Sequence, residues 1–126
     1  DMTGRMMIKL EEIFFSEKID GVLVFGDTNS TLAASLVASK IDGLDLIHVE
    51  AGLRSYNRKM PEEINRMLTD KVADLLFVTE ASGMENLARE GIDPQKILMA
   101  ITPGFFLICL AAPPAVFGAL TLLYLI

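Results

Sequence analysis

A chain of 126 residues is long enough for one small domain with a modest core and too short for two. Its net charge of −6, with no basic run and no basic patch interleaved with aromatics, gives it nothing to neutralise a phosphate backbone, so no nucleic-acid partner is expected. A single cysteine, Cys109, and a single histidine, His48, are too few for an internal disulfide or a recognisable zinc site, so no metal ligands are assigned.

Residues 2–18 carry Met6, Met7, Leu10, Ile13 and Phe14 at spacings of three and four, which predicts an amphipathic helix. The same stretch mixes in charges and lacks the continuous apolar core of a signal peptide. The first residue is Asp rather than Met and the chain opens inside a helical pattern, which suggests a segment whose beginning is missing. Val22-Leu23-Val24-Phe25 is an uninterrupted β-favouring run of the kind buried in a parallel sheet. A turn at 26–30 then leads into a small-residue helix over about 31–40. Leu46-Ile47-His48-Val49 predicts a second strand, followed by a polar loop over 50–60. Pro61 suits the first position of a helix, with Glu62 and Glu63 favourable in its first turn and Ile64, Met67, Leu68 and Val72 as its apolar face. Leu75-Leu76-Phe77-Val78 reads as a third strand, 81–90 as a helix stopped by Gly91, and Ile97-Leu98-Met99 as the start of a fourth strand. Strands alternating with helices in this way predict a Rossmann-like, doubly wound α/β layer.

Ligands of such sheets bind beyond the carboxyl ends of the strands. Two segments leaving those ends concentrate polar chemistry. Gly26-Asp27-Thr28 opens a helix whose first turn offers N–H groups to an anion. Asp27 is there either an N-cap, the commoner use of Asp in that place, or an acid/base. His48-Val49-Glu50-Ala51-Gly52-Leu53-Arg54-Ser55 sets a carboxylate and a guanidinium four residues apart around a glycine. A surface ion pair between Glu50 and Arg54 accounts for the charges at about 0–1 kcal/mol, but not for their position at the ligand edge. His48, inside the strand, reads as a hydrogen-bonded structural histidine. Met60-Pro61-Glu62-Glu63-Ile64-Asn65-Arg66 places two carboxylates at a helix start, where they also complement the helix dipole. Arg54, Arg58, Lys59 and Arg66 either balance these acids or meet a pyrophosphate.

In order and interval, the GDT turn, HVEAGLRS at 48–55, MPEEINR at 60–66 and LTDKVADLLFVTEASGMENLAREGI at 68–92 closely resemble the non-hydrolysing UDP-N-acetylglucosamine 2-epimerases. The resemblance covers residues 1 to about 99. It implies a partial N-terminal domain (1–100) of a GT-B-type isomerase, in which the sugar nucleotide lies between two Rossmann-type domains. Such an enzyme eliminates UDP to leave a 2-acetamidoglucal, then adds it back with C2 inverted, interconverting UDP-GlcNAc and UDP-ManNAc without a cofactor. By position the catalytic carboxylates fall on Asp27, Glu50 and Glu62, with Glu63 as second choice for the last, and substrate binding falls on Arg54, Arg66 and Thr28. The family's phosphate-side loop, its catalytic histidine and its second domain have no counterpart here, so the chain is expected to be inactive alone. His48 belongs to HVEAGLR and does not replace that histidine. The resemblance further implies a cytoplasmic place in surface-polysaccharide precursor synthesis, with a homodimer possible for the full-length family. Two alternatives are an epimerase of UDP-2,3-diacetamido-glucuronate and a non-catalytic truncated nucleotide-sugar-binding protein.

Residues 97–126 carry no charge, and 101–126 resemble nothing in that family. This apolar tail exceeds the roughly 20 residues that span a bilayer, although Pro113-Pro114 would kink a spanning helix. It is read as a membrane helix, a displaced (fused or frameshifted) terminus or a core helix, the displaced terminus being favoured.

Overall fold

A computed structural model describes residues 1–100; the apolar tail 101–126, with its three readings, lies outside the described residues. Strands β1 (Gly21–Phe25), β2 (Asp45–Val49), β3 (Leu75–Val78) and β4 (Ile97–Met99) form one parallel sheet in the order β1-β2-β3-β4. Helix α1 (Met2–Ser16) precedes it, and α2 (Asn29–Ala38), α3 (Pro61–Val72) and α4 (Ala81–Arg89) make the crossovers. A short 3-10 turn at Pro94–Lys96, not foreseen, leads into β4. The apolar runs become strands because a parallel sheet buries them, and side chains alternate between its faces. Val22, Val24, Leu46, Leu76 and Val78 join Leu10 and Phe14 of α1 and Leu87 of α4 in the main core. Leu23, Val49 and Phe77 cluster on the other face with Phe25, Ile47 and Leu75. The small residues Ala33, Ala34, Ser35 and Ala38 of α2 are fully buried, which lets that helix pack closely between α1 and α3. No helix among the described residues is long and apolar enough to cross a membrane.

Two expectations change. The strand order runs in one direction without reversal, so the switch point of a doubly wound sheet does not fall among the described residues. The predicted apolar face of α3 is not its buried one. Leu68 is exposed and Ile64, Met67 and Val72 are half-buried, whereas Glu63, Asn65, Thr69 and Asp70 are buried. The loop at 50–60 lies against this side of the helix, and its N–H groups and Arg54 need acceptors there.

The same loop crosses the start of α4 at very short range. A Cβ on Gly52 would stand 2.5 Å from the carbonyl oxygen of Gly83, and Gly52 already sits at φ +81°. Gly52→Ala should therefore destabilise the chain by roughly 2 kcal/mol or more, read as a lowered urea midpoint.

Candidate active site

The register Phe25↔Val49↔Phe77 ends three strands level, so the segments 26–30, 50–55 and 79–82 leave a single carboxyl edge. Gly26 at φ 61° and Glu50 at φ 67° are the first residues past two paired strand ends, and both are left-handed. Glycine takes that conformation freely, whereas a side chain there costs about 1–2 kcal/mol. The Glu50 carboxylate lies against the GDT turn, its Oε2 3.7 Å from where a Cβ on Gly26 would stand.

Thr28, not Asp27, caps α2: its hydroxyl accepts the N–H of Thr31 at 3.2 Å. That leaves the Asp27 carboxylate for Arg66, whose Nη2 stands 2.5 Å from Asp27 Oδ2. Asn65 reinforces the junction, donating from Nδ2 to the Asp27 carbonyl at 2.8 Å and to Asn29 Oδ1 at 3.1 Å. The first turns of α3 are thus tied to the GDT turn.

The adjacent glutamates divide their roles. Glu63 is 1% exposed, and its carboxylate accepts the N–H groups of Ser55 and Tyr56, each at 2.9 Å, and Arg66 Nη1 at 3.1 Å. Burial by itself pushes this carboxyl up, but the two backbone donors and the guanidinium outweigh it and hold the group below the usual glutamate range. Glu62, about 100° round the helix, is exposed.

Arg54 does not form the surface pair with Glu50. Its side chain is 1% exposed. Nε and Nη2 each donate to the Glu90 carboxylate at 2.7 Å, while Nη1 donates to Asp70 Oδ2 and to the Leu53 carbonyl, each at 2.8 Å. Burial opposes its charge, yet the bonds from Glu90 and Asp70 raise its pKa above that of free arginine. The guanidinium is committed inside the protein. His48 is the buried, doubly partnered histidine that the sequence suggested, with Nδ1 2.6 Å from Asp70 Oδ1 and Nε2 2.9 Å from the Gly26 carbonyl. Arg58 and Lys59 are exposed.

Beside these groups a polar cleft is lined by Ser55, Tyr56, Arg66, Glu85, Asn86 and Arg89. Tyr56, another non-glycine residue at positive φ (58°), hydrogen-bonds through its hydroxyl to the Asn86 side-chain oxygen and receives Arg89 Nη1 at 3.2 Å. Asn86 Nδ2 in turn donates to the Gly52 carbonyl at 2.8 Å. No group of three or more His, Cys, Asp or Glu among the described residues is placed to hold a metal ion. The sequence reading missed Asn65, Asp70, Asn86 and Glu90. One signal was present: Glu63 and Asp70 are seven residues apart with Arg66 between them, which puts all three on neighbouring turns of one helix side.

The family model described as UDP-N-acetylglucosamine 2-epimerase matches residues 1–100. The chain belongs to this family. Among relatives, it is 53% identical over 92 residues to the UDP-2,3-diacetamido-2,3-dideoxy-D-glucuronate 2-epimerase of Pseudomonas aeruginosa, covering 73% of this chain and 26% of that protein. It is 52% identical over 99 residues to the UDP-N-acetylglucosamine 2-epimerase of Methanocaldococcus jannaschii, covering 79% and 27%. The crystal structure of the latter enzyme in complex with UDP-GlcNAc and UDP aligns with a TM-score of 0.74 at 52% identity, over 77% of this chain and 26% of that one. The family member from Rickettsia bellii aligns at 0.76 with 26% identity, over 93% and 31%. The chain thus spans about a quarter of the length of the curated relatives it matches.

The position of Glu63 makes a prediction about acid stability. Because its folded-state pKa is depressed, it stabilises the fold above the ordinary glutamate pKa, and that contribution disappears as pH falls through the lower, folded value. Glu63→Gln should cost about 1–3 kcal/mol at neutral pH. Urea midpoints of the variant and the parent should converge as pH falls below the usual carboxylate range.

Proposed function

We propose that this segment supplies the N-terminal-domain half of an epimerase site for UDP-activated 2-acetamido sugars, with UDP-GlcNAc as substrate. One observation carries the reading: Glu50 accepts a left-handed backbone that glycine would adopt more easily, and its carboxylate stands beside Gly26, the residue before Asp27, at the ligand edge. Backbone strain retained at a strand end is characteristic of sites where a side chain must stand in one place. Family membership supports reading that carboxylate as an acid/base group.

In the reaction a base takes the C2 proton as the bond from C1 to UDP breaks, leaving a double bond between C1 and C2. UDP then adds back at C1 while an acid delivers a proton to the opposite face of C2. Asp27, Glu50 and Glu62 are the acid/base groups of this scheme. Glu62 is preferred over Glu63 because the latter's carboxylate is committed to Ser55, Tyr56 and Arg66. Arg66 holds Asp27 and, with Arg89, offers positive charge to the pyrophosphate. Thr28 caps α2, whose free N–H groups face the same edge. The Pseudomonas relative acts on a different UDP sugar, also at C2, so the substrate itself is part of the test.

The test is a graft of residues 1–100 in place of the matching stretch of the Methanocaldococcus enzyme, assayed by chromatographic separation of UDP-GlcNAc from UDP-ManNAc. Asp27→Asn, Glu50→Gln and Glu62→Gln should each lower kcat about 10²–10⁴-fold, with little change in nucleotide binding. Near-parental rates for all three would refute the reading. The 126-residue chain alone should show no turnover, because the reacting groups of the whole site are not held together. Glu50→Gly should leave the urea midpoint of the chain unchanged or raised, since strain is relieved, while the graft carrying it loses activity.

A further inference from the structure

His48 and Asp70 lie outside the acid/base set, yet they are buried to 1% and 0% exposure at the centre of the site's framework. The His48 Nε2 faces the Gly26 carbonyl at 2.9 Å. A carbonyl only accepts, so Nε2 carries a proton. The Nδ1 faces Asp70 Oδ1 at 2.6 Å. The other oxygen of that carboxylate already accepts the Gly52 N–H at 3.0 Å and Arg54 Nη1 at 2.8 Å. His48, Asp70, Arg54 and Glu90 thus form one connected buried set.

The two arms of one carboxylate thus reach two turns. Through the His48 ring, Oδ1 fixes the carbonyl of Gly26, directly before Asp27; Oδ2 fixes the N–H of Gly52, two residues after Glu50. We infer that Asp70 is a positioning residue that couples the turn bearing Asp27 to the turn bearing Glu50, acting on the first through the ring of His48. Its meaning for catalysis rests on the function proposed above; the coupling itself does not.

The coupling is testable in the 126-residue chain because His48 is its only histidine, so the ring ¹⁵N spectrum needs no assignment by mutation. Nε2 should show an attached proton, as its bond to the Gly26 carbonyl requires. Asp70→Asn keeps the size, offers its NH₂ to Nδ1 and its carbonyl to Gly52, and should move the Nδ1 signal. It should also shift the backbone amide signals of both Asp27 and Gly52, whereas His48→Gln should shift that of Asp27 and spare Gly52. An Nε2 without its proton in the parent, or an Asp27 signal indifferent to Asp70→Asn, overturns the proposal.

In the grafted enzyme, Asp70→Ala should lower kcat on the order of 10–100-fold through misplacement of the reacting groups, with KM changed by no more than about twofold. Asp70→Asn should recover most of the loss. If Asp70→Ala does not fold, the kcat of Asp70→Asn relative to that of His48→Gln decides, the former being expected to be the higher. An unchanged kcat in a folded Asp70→Ala graft whose Asp27→Asn and Glu50→Gln counterparts are slow overturns the positioning role alone. Full rates in the Asp27 and Glu50 variants instead remove the function reading beneath it.

Discussion

A carboxylate withdrawn from water must have both oxygens satisfied, and around Asp70 that requirement organises much of the domain. Its partners come from three places: His48 in the middle of β2, Gly52 in the turn beyond it, and Arg54 further along the loop. Gly52, held there, lies so close over Gly83 that it has no room for a side chain, and a Cβ on Gly83 would meet Val78 and the Ala51 carbonyl. Drawing Arg54 inward obliges Glu90, at the end of α4, to follow it. The loop at 50–60 is thus held by charge and hydrogen bonding where most short loops are held by their turns. Replacing the set with apolar groups would release the strand ends that carry Asp27 and Glu50.

The acids of the segment fall into two populations. Asp70, Glu63 and Glu90 have donors on their oxygens and serve as internal anchors. Asp27, Glu50 and Glu62 stand at the ligand edge, and Asp27 is the one of these held by an ion pair. In the proposed scheme a proton-transfer carboxylate is not surrounded by internal donors as these anchors are, and Asp27 combines its place there with the pair to Arg66. The two glutamates after Pro61 show the contrast at the closest spacing a chain permits: a 100° step round the helix separates an anchor from a group facing outward.

The strands and their order of succession were legible because a buried parallel strand must be an apolar run, and four such runs stand out between 22 and 99. The motif positions of Asp27, Glu50 and Glu62 were legible for a different reason, their spacing within a family pattern. The face of α3 was not. Hydrophobic periodicity assumes that what packs on a helix is apolar, and here one of the packing partners is a polar loop, so Leu68 is exposed while Thr69 and Asp70 are buried. Arg54 was misplaced by proximity in sequence: Glu50 is four residues away, but the bidentate partner is Glu90, 36 residues on. The cap of α2 slipped by one residue because Asp27 and Thr28 are both competent caps, and only the engagement of Asp27 by Arg66 distinguishes them.

The left-handed Glu50 also bears on how such a segment would age. Most catalytic side chains can drift slowly once their activity is no longer needed, since they contribute little to folding either way. Position 50 differs, because the backbone there favours glycine from the outset and every generation of relaxed selection is biased in one direction. In a lineage where this segment no longer takes part in a reaction, residue 50 should be among the first of the site to change, well before buried Asp70 or Glu63, whose loss would unsettle the fold.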